Sequence, residues 1–180
     1  MEAFDNDTTV EEIYISNAGL VLLAPYLPRF FSRLDSLEDG IFKDLESAQR
    51  GVYLLQFMCT GQEGTPEEHL LIFNKILCGL PLTADLPTQF QIQEEERALV
   101  DSMLHAVLQN WEMMKNNTVE NLRGSFLLRE GRLTVEADAW QLQVEPKVYD
   151  ITLDYLPWSI STVRLPWMEN SVLVDWRNRG

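Results

Sequence analysis

Leu-Leu-Arg-Glu-Gly-Arg-Leu-Thr-Val-Glu-Ala-Asp-Ala-Trp-Gln-Leu-Gln-Val, residues 127 to 144, is the stretch in which the hydrophobic period changes. Upstream of Gly131 the apolar residues recur at helical spacing; downstream they alternate. Leu133 and Val135 run one way, Ala137-Asp138 supplies a turn, and Trp140, Leu142 and Val144 run back, which predicts a β-hairpin. Beyond it, Val148–Leu153, Ser161–Leu165 and Val172–Trp176 are further strand candidates bounded by proline or turn residues. Helices first and strands afterwards argue an α+β fold, its helical N-terminal two-thirds (13–130) packed on a small, mainly antiparallel C-terminal sheet (131–180).

The helical part is legible mainly through its punctuation. Ile13-Tyr14-Ile15 reads as a short strand, and Ser16 and Asn17 are capping candidates for a helical turn over Gly19–Ala24. Pro28 suits the first turn of a helix running to Leu37, with Asp39-Gly40 ending it. Leu45, Ala48, Val52, Leu55 and Met58 mark an amphipathic helix within 43–60, and Gly61 stands where a left-handed cap belongs. Thr65-Pro66-Glu67-Glu68 predicts a capping-box start for a helix to Cys78, stopped by Gly79. Gln93–Met114 is the longest helical pattern, and Asn117-Thr118-Val119-Glu120 opens another, to Glu130, with Leu122, Phe126 and Leu127 facing inward.

With 180 residues, 46% of them hydrophobic, the chain can bury a substantial core, and we expect one α+β domain, 13–180, behind a flexible acidic leader, 1–12. The net charge of −14 is concentrated in residues 1–96, which carry 17 acidic against 5 basic side chains. Such a surface repels phosphates, so nucleic acid is not an expected partner. The leader lacks the basic and apolar segments of a secretory signal, which points to cytoplasmic synthesis. The apolar run Ala18–Leu27 falls far short of the ~20 residues that span a bilayer, so no membrane insertion is expected.

Reactive constellations are scarce. Cys59 and Cys78 have no His or Cys neighbour at ligand spacing and read as buried thiols, and His69 and His105 stand alone on helices. Glu94, Glu95 and Glu96 complement a helix N-terminus and are not read as a metal site. No nucleophile elbow or phosphate-binding loop is present, so no catalytic residue, cofactor or metal is expected. A glycoside-cleaving pair would have to be picked from Glu130, Asp138, Asp150 or Asp154, and a sugar-stacking face from Trp140, Tyr149 and Tyr155 interleaved with Asp150 and Asp154. The distinctive elements are instead two stiff elbows, Leu156-Pro157-Trp158 and Leu165-Pro166-Trp167, each aiming an indole. Trp158, Arg164, Trp167 and Met168 are therefore the candidate protein interface, while the indoles also suit clamping helices to the sheet.

Ile13-Tyr14-Ile15-Ser16-Asn17-Ala18-Gly19-Leu20, Leu27-Pro28-Arg29-Phe30-Phe31, Asn74-Lys75-Ile76-Leu77-Cys78-Gly79-Leu80-Pro81, Leu122-Arg123-Gly124-Ser125-Phe126-Leu127-Leu128-Arg129-Glu130-Gly131 and both Leu-Pro-Trp elements resemble the tape-measure protein family of contractile injection systems. The resemblance implies a non-enzymatic structural and assembly role in a phage-tail-like particle, with tube, hub or spike proteins as partners and a homo-oligomer, trimeric or matched to six-fold symmetry, as a candidate state. An all-helical chain of this size would reach only ~270 Å, and this one is broken by caps, prolines and a sheet. It therefore looks like a compact terminal domain or short relative that anchors the tape. The alternatives are an acidic adaptor or chaperone-like domain holding basic clients, and the carbohydrate reading.

Overall fold

Strands β4 (Gly131–Glu136) and β5 (Ala139–Val144) form the expected antiparallel hairpin, with Leu133 opposite Leu142 and Gly131 opposite Val144. The computed structural model, which describes residues 11–177, places Ala137 in the left-handed region (φ 53°), as a two-residue hairpin turn requires. Strand β1 (Ile13–Ile15) adds to β4, pairing Ile13 with Leu133. Much later in the chain, β7 (Val172–Asp175) runs parallel to β5, and β6 (Thr162–Val163) closes the far edge, giving the order β1-β4-β5-β7-β6. Leu133, Leu142, Val163 and Val172 are buried on one face; Arg132, Gln143, Asp175 and Thr162, one residue out of phase, meet solvent.

Helices α1 (Leu27–Arg33), α2 (Leu45–Thr60), α3 (Ile72–Leu77), α4 (Glu94–Asn110) and α5 (Val119–Leu122) join that buried face in one hydrophobic cluster. α2 is its centre: Val52–Cys59 is buried throughout. Asp44 caps α2 by accepting the Ser47 N–H at 2.7 Å, and Gly61 ends it at φ 65°. Glu94–Glu96 do occupy the first turn of α4, and Glu96 turns back to accept the Gln93 N–H at 2.8 Å while also binding Arg50. Trp111, wholly buried, ends α4 and donates its indole N–H to the Thr152 carbonyl at 3.0 Å.

Several elements differ from the sequence expectation. Ala18–Tyr26 is a 3-10 turn, and Asn17 does not cap it; its buried amide donates to Gln56 at 3.1 Å and Asn74 at 2.7 Å. α1 stops at Arg33, and Asp39-Gly40 is not a helix stop but the turn of a second hairpin, β2 (Leu37–Glu38) with β3 (Ile41–Phe42), both turn residues having positive φ. Thr65 caps nothing: its hydroxyl accepts the Phe90 N–H at 2.8 Å, and Glu68 instead pairs at 3.1 Å with Lys75, whose buried ammonium needs a carboxylate. The helical stretch accordingly begins only at Glu68, as a 3-10 turn leading into α3. α4 ends at Asn110, and a 3-10 turn over Glu112–Met114 replaces the rest of the expected helix. After α5 the backbone widens into a π turn, Arg123–Leu127, ending short of Glu130.

Val148–Tyr155 is a 3-10 helix where a strand was expected. Asp150 accepts the Lys147 N–H at 2.8 Å, which folds the segment into a turn, and Arg129 then holds that carboxylate inward. Residues 1–10 of the expected leader lie outside the described residues. No helix among the described residues is long and apolar enough to cross a membrane. Cys59 and Cys78 are free and buried, and burial pushes both thiols far above their usual range, for Cys59 against the opposing pull of the Arg123 charge. Neither should react with a thiol-specific reagent in the native protein; both should be labelled only as it unfolds in urea, which a mass shift per added label would read.

Candidate interaction surface

Arg129 is the device that fixes the last third of the chain. Only 2% exposed, it lies on the link between the π turn and β4 and donates two N–H groups to Asp150 at 2.8 Å each, a bidentate pair. Two more of its N–H groups reach the Glu145 and Ser125 carbonyls. Phe126, Tyr149 and Trp176 surround the guanidinium, their ring centres 5.1 to 5.8 Å from it. Burial alone would raise the Asp150 carboxyl, yet hydrogen bonds from Arg129, the Lys147 N–H and the Trp176 indole, with the Arg129 charge, hold it below the usual carboxylate range. The 3-10 helix and β7 are thereby tied to the hairpin, and the chain between them carries both elbows.

The four expected interface residues do not form one patch. Trp158 is half-buried, donates its indole N–H to Leu22 at 3.0 Å and packs edge-on against Tyr26. It faces a polar groove of about 500 Å³ beside Trp176 and the Arg177–Asp154 ion pair. Trp167, also half-buried, donates to Leu77 at 2.7 Å and packs against Phe31 and Phe42. Each indole therefore does hold a helical segment, and each keeps part of its surface in water. Met168 is buried, its sulfur accepting the Leu165 N–H, and Arg164 is exposed.

Around Trp167 lies an open groove of about 520 Å³, floored by Phe42, Ala48 and Leu80. Ile41 and Leu45 stand exposed along it, with Asp44 and Glu169 beside them. Two apolar side chains left in water next to an indole are the surface feature that protein contacts use. Sequence reasoning missed Ile41, and it set Leu45 in the apolar stripe of α2, whereas Leu45 is the first residue of that helix and is 60% exposed, the buried set beginning at Ala48.

Three of the residues considered for chemistry are tied into the fold. Asp150 is locked by Arg129, Asp154 binds Arg177, and Tyr149 packs edge-on against Phe126. His69 and His105 are exposed and lie near Glu67 and Asp101. Among the described residues, no group of three or more His, Cys, Asp or Glu side chains is placed to hold a metal ion.

No curated protein and no solved structure matches this chain. The family model described as contractile injection system tape measure protein does match, over residues 2–176, from ahead of β1 to beyond β7 and through both Leu-Pro-Trp elements. The chain thus belongs to the contractile injection system tape measure protein family.

Proposed function

We propose that residues 13–180 form one domain that anchors a tape-measure protein to the tube, hub or spike of its particle, helping to set tube length by holding the tape in place. Membership of the family makes the chain a component of a contractile injection system, and so a protein that meets other components of that particle. The observation that carries the anchoring reading is helix length. The longest helices, α2 and α4, have 16 and 17 residues, so neither exceeds ~26 Å, and both pack into one core with the sheet. A measuring rod needs extension; these residues offer a folded block with exposed contact surface.

The anchoring contact in this reading is centred on Trp167 and its groove, with Trp158 and Arg164 as further anchors and Met168 supporting the second elbow from beneath. Asp44 and Glu169 at the groove suit a partner carrying basic residues there. The test is the solution mass of the protein alone and mixed with the purified tube, hub and spike proteins of its particle. A co-eluting complex is expected, and its mass reads whether the protein enters as a monomer, as a trimer or in six-fold match. Trp167→Ala combined with Arg164→Glu should weaken that complex at least about tenfold, as loss of a central aromatic anchor does. If the wild-type protein co-elutes with none of the three, the anchoring reading is wrong.

A further inference from the structure

A third groove, of about 340 Å³, runs between α1 and α4 and is distinct from the Trp167 groove on which the anchoring reading centres. Its apolar lining comes from Phe30 on α1 and from Leu99, Met103 and Ala106 on α4. Tyr26 forms one end, braced from behind by Trp158 and from the side by an Asn110 hydrogen bond of 2.9 Å. At the other end the groove continues past Leu99 and Ser102 towards Glu95. It is a trough between two helices, open to solvent along its length, the shape that accepts a third helix.

Its charge sets it apart from the rest of the helical half. Arg29 and Arg33 line the groove from α1, four residues apart and therefore on one face of the helix, and both are exposed. Among the described residues neither has an ion-pair partner. Residues 1–96 hold only 5 basic side chains against 17 acidic ones, so two guanidiniums without a carboxylate among the described residues are conspicuous. The other three are all paired: Lys43 with Asp35, Arg50 with Glu96 and Lys75 with Glu68. Glu95 shares the lining of the far end with Arg33 but makes no ion pair with it among the described residues, while Asp101 lies on another flank of α4 with Arg97 and Arg123.

We propose that the α1–α4 groove docks an acidic amphipathic helix from another component of the particle, its apolar face against Leu99 and Met103 and its carboxylates on Arg29 and Arg33. Four-residue spacing of the arginines matches carboxylates four apart on the incoming helix, which would fix its position along the groove. The proposal stands apart from the Trp167 groove, which shares no lining residue with this one, and adjoins the anchoring reading only where Tyr26 packs on Trp158.

Overlapping peptides of about 15 residues, each some 22 Å long as a helix, tiling the tube, hub and spike proteins and this chain itself, would be probed with the full-length protein. Tiles that bind are expected to combine a Leu- or Met-rich face with Glu or Asp at helical spacing. Arg29→Glu with Arg33→Glu should weaken them about tenfold or more, an effect that shrinks in high salt. Arg29→Lys with Arg33→Lys should retain part of the binding, and Glu→Arg changes in the peptide should restore binding to the reversed protein. Both variants change exposed side chains, so an unaltered melting curve confirms that the fold is intact. The proposal is overturned if no tile responds to charge reversal, if the responding tiles lack carboxylates, or if they come only from this chain, which would make the occupant a segment of the same molecule or a second copy. Co-elution of whole partners through the Trp167 groove is read separately and can survive any of these outcomes.

Discussion

Asp150→Asn is expected to destabilise the protein by about 3–5 kcal/mol, because it leaves the Arg129 guanidinium buried without its counter-charge. Arg129 cannot respond by losing its proton, nor can it reach water from where Phe126, Tyr149 and Trp176 enclose it. The loss should appear as a lower urea midpoint at neutral pH. Its pH dependence follows from the sign of the shift. The Asp150 carboxyl is held below its ordinary value, so its contribution is fully present above an unfolded value of about 3.9 and is lost as pH falls through the lower folded value. The gap between wild type and variant should therefore be constant from pH 8 to about 5 and close in stronger acid. An undiminished gap under acid conditions would mean that the carboxylate acts through shape alone. Replacing both partners, Arg129→Met with Asp150→Leu, should recover only part of the loss, since the Lys147 N–H and the Trp176 indole would still lack their acceptor.

Gly19→Ala should be nearly as damaging, at about 3 kcal/mol or more, from a single added methyl group. A Cβ built on Gly19 would lie 1.8 Å from the Phe126 carbonyl oxygen and 2.5 Å from the Leu127 Cα. These are backbone atoms of the π turn, so no rotamer change relieves the clash. The N-terminal 3-10 turn and the π turn would have to separate, and the Ala18 N–H bond to the Arg129 carbonyl (2.9 Å) lies next to the point of contact. Gly124→Ala is the control, because its Cβ would meet nothing within 4 Å. Equal melting temperatures for the two variants would refute the close-approach account.

These two sites mark the boundary of what the chain reveals before folding. The β4–β5 hairpin was readable because alternation and turn chemistry agree within fourteen residues. So were the Gly61 cap of α2 and the inward set Leu122, Phe126 and Leu127. Asp150 was not: Val148, Asp150 and Thr152 alternate with Tyr149, Ile151 and Leu153 as a strand would, and the arginine that overrides this pattern lies 21 residues earlier. Thr65 and Glu68 make a sound local cap signal, but Phe90 and Lys75 compete for them with groups brought in from elsewhere. In the candidate surface, the prolines marked two elbows each aiming an indole, yet nothing local told that the indoles would face separate grooves, or that Met168 would turn inward to meet Leu165. Gly19 carried no signal at all, because its constraint is another segment's backbone.

The pairing of Ile13 with Leu133 also constrains how the protein is made. Nearly 120 residues of chain must be synthesised between the two strands, which at ribosomal rates of about 5–20 residues per second is a wait of several seconds or more. During that interval the first strand and the apolar run behind it have no sheet to join, and β5 must wait again for β7. The molecule cannot mature piecemeal from its front end. A nascent chain should stay sensitive to protease until its last strand emerges, so a growing particle would be offered either the finished surface or none.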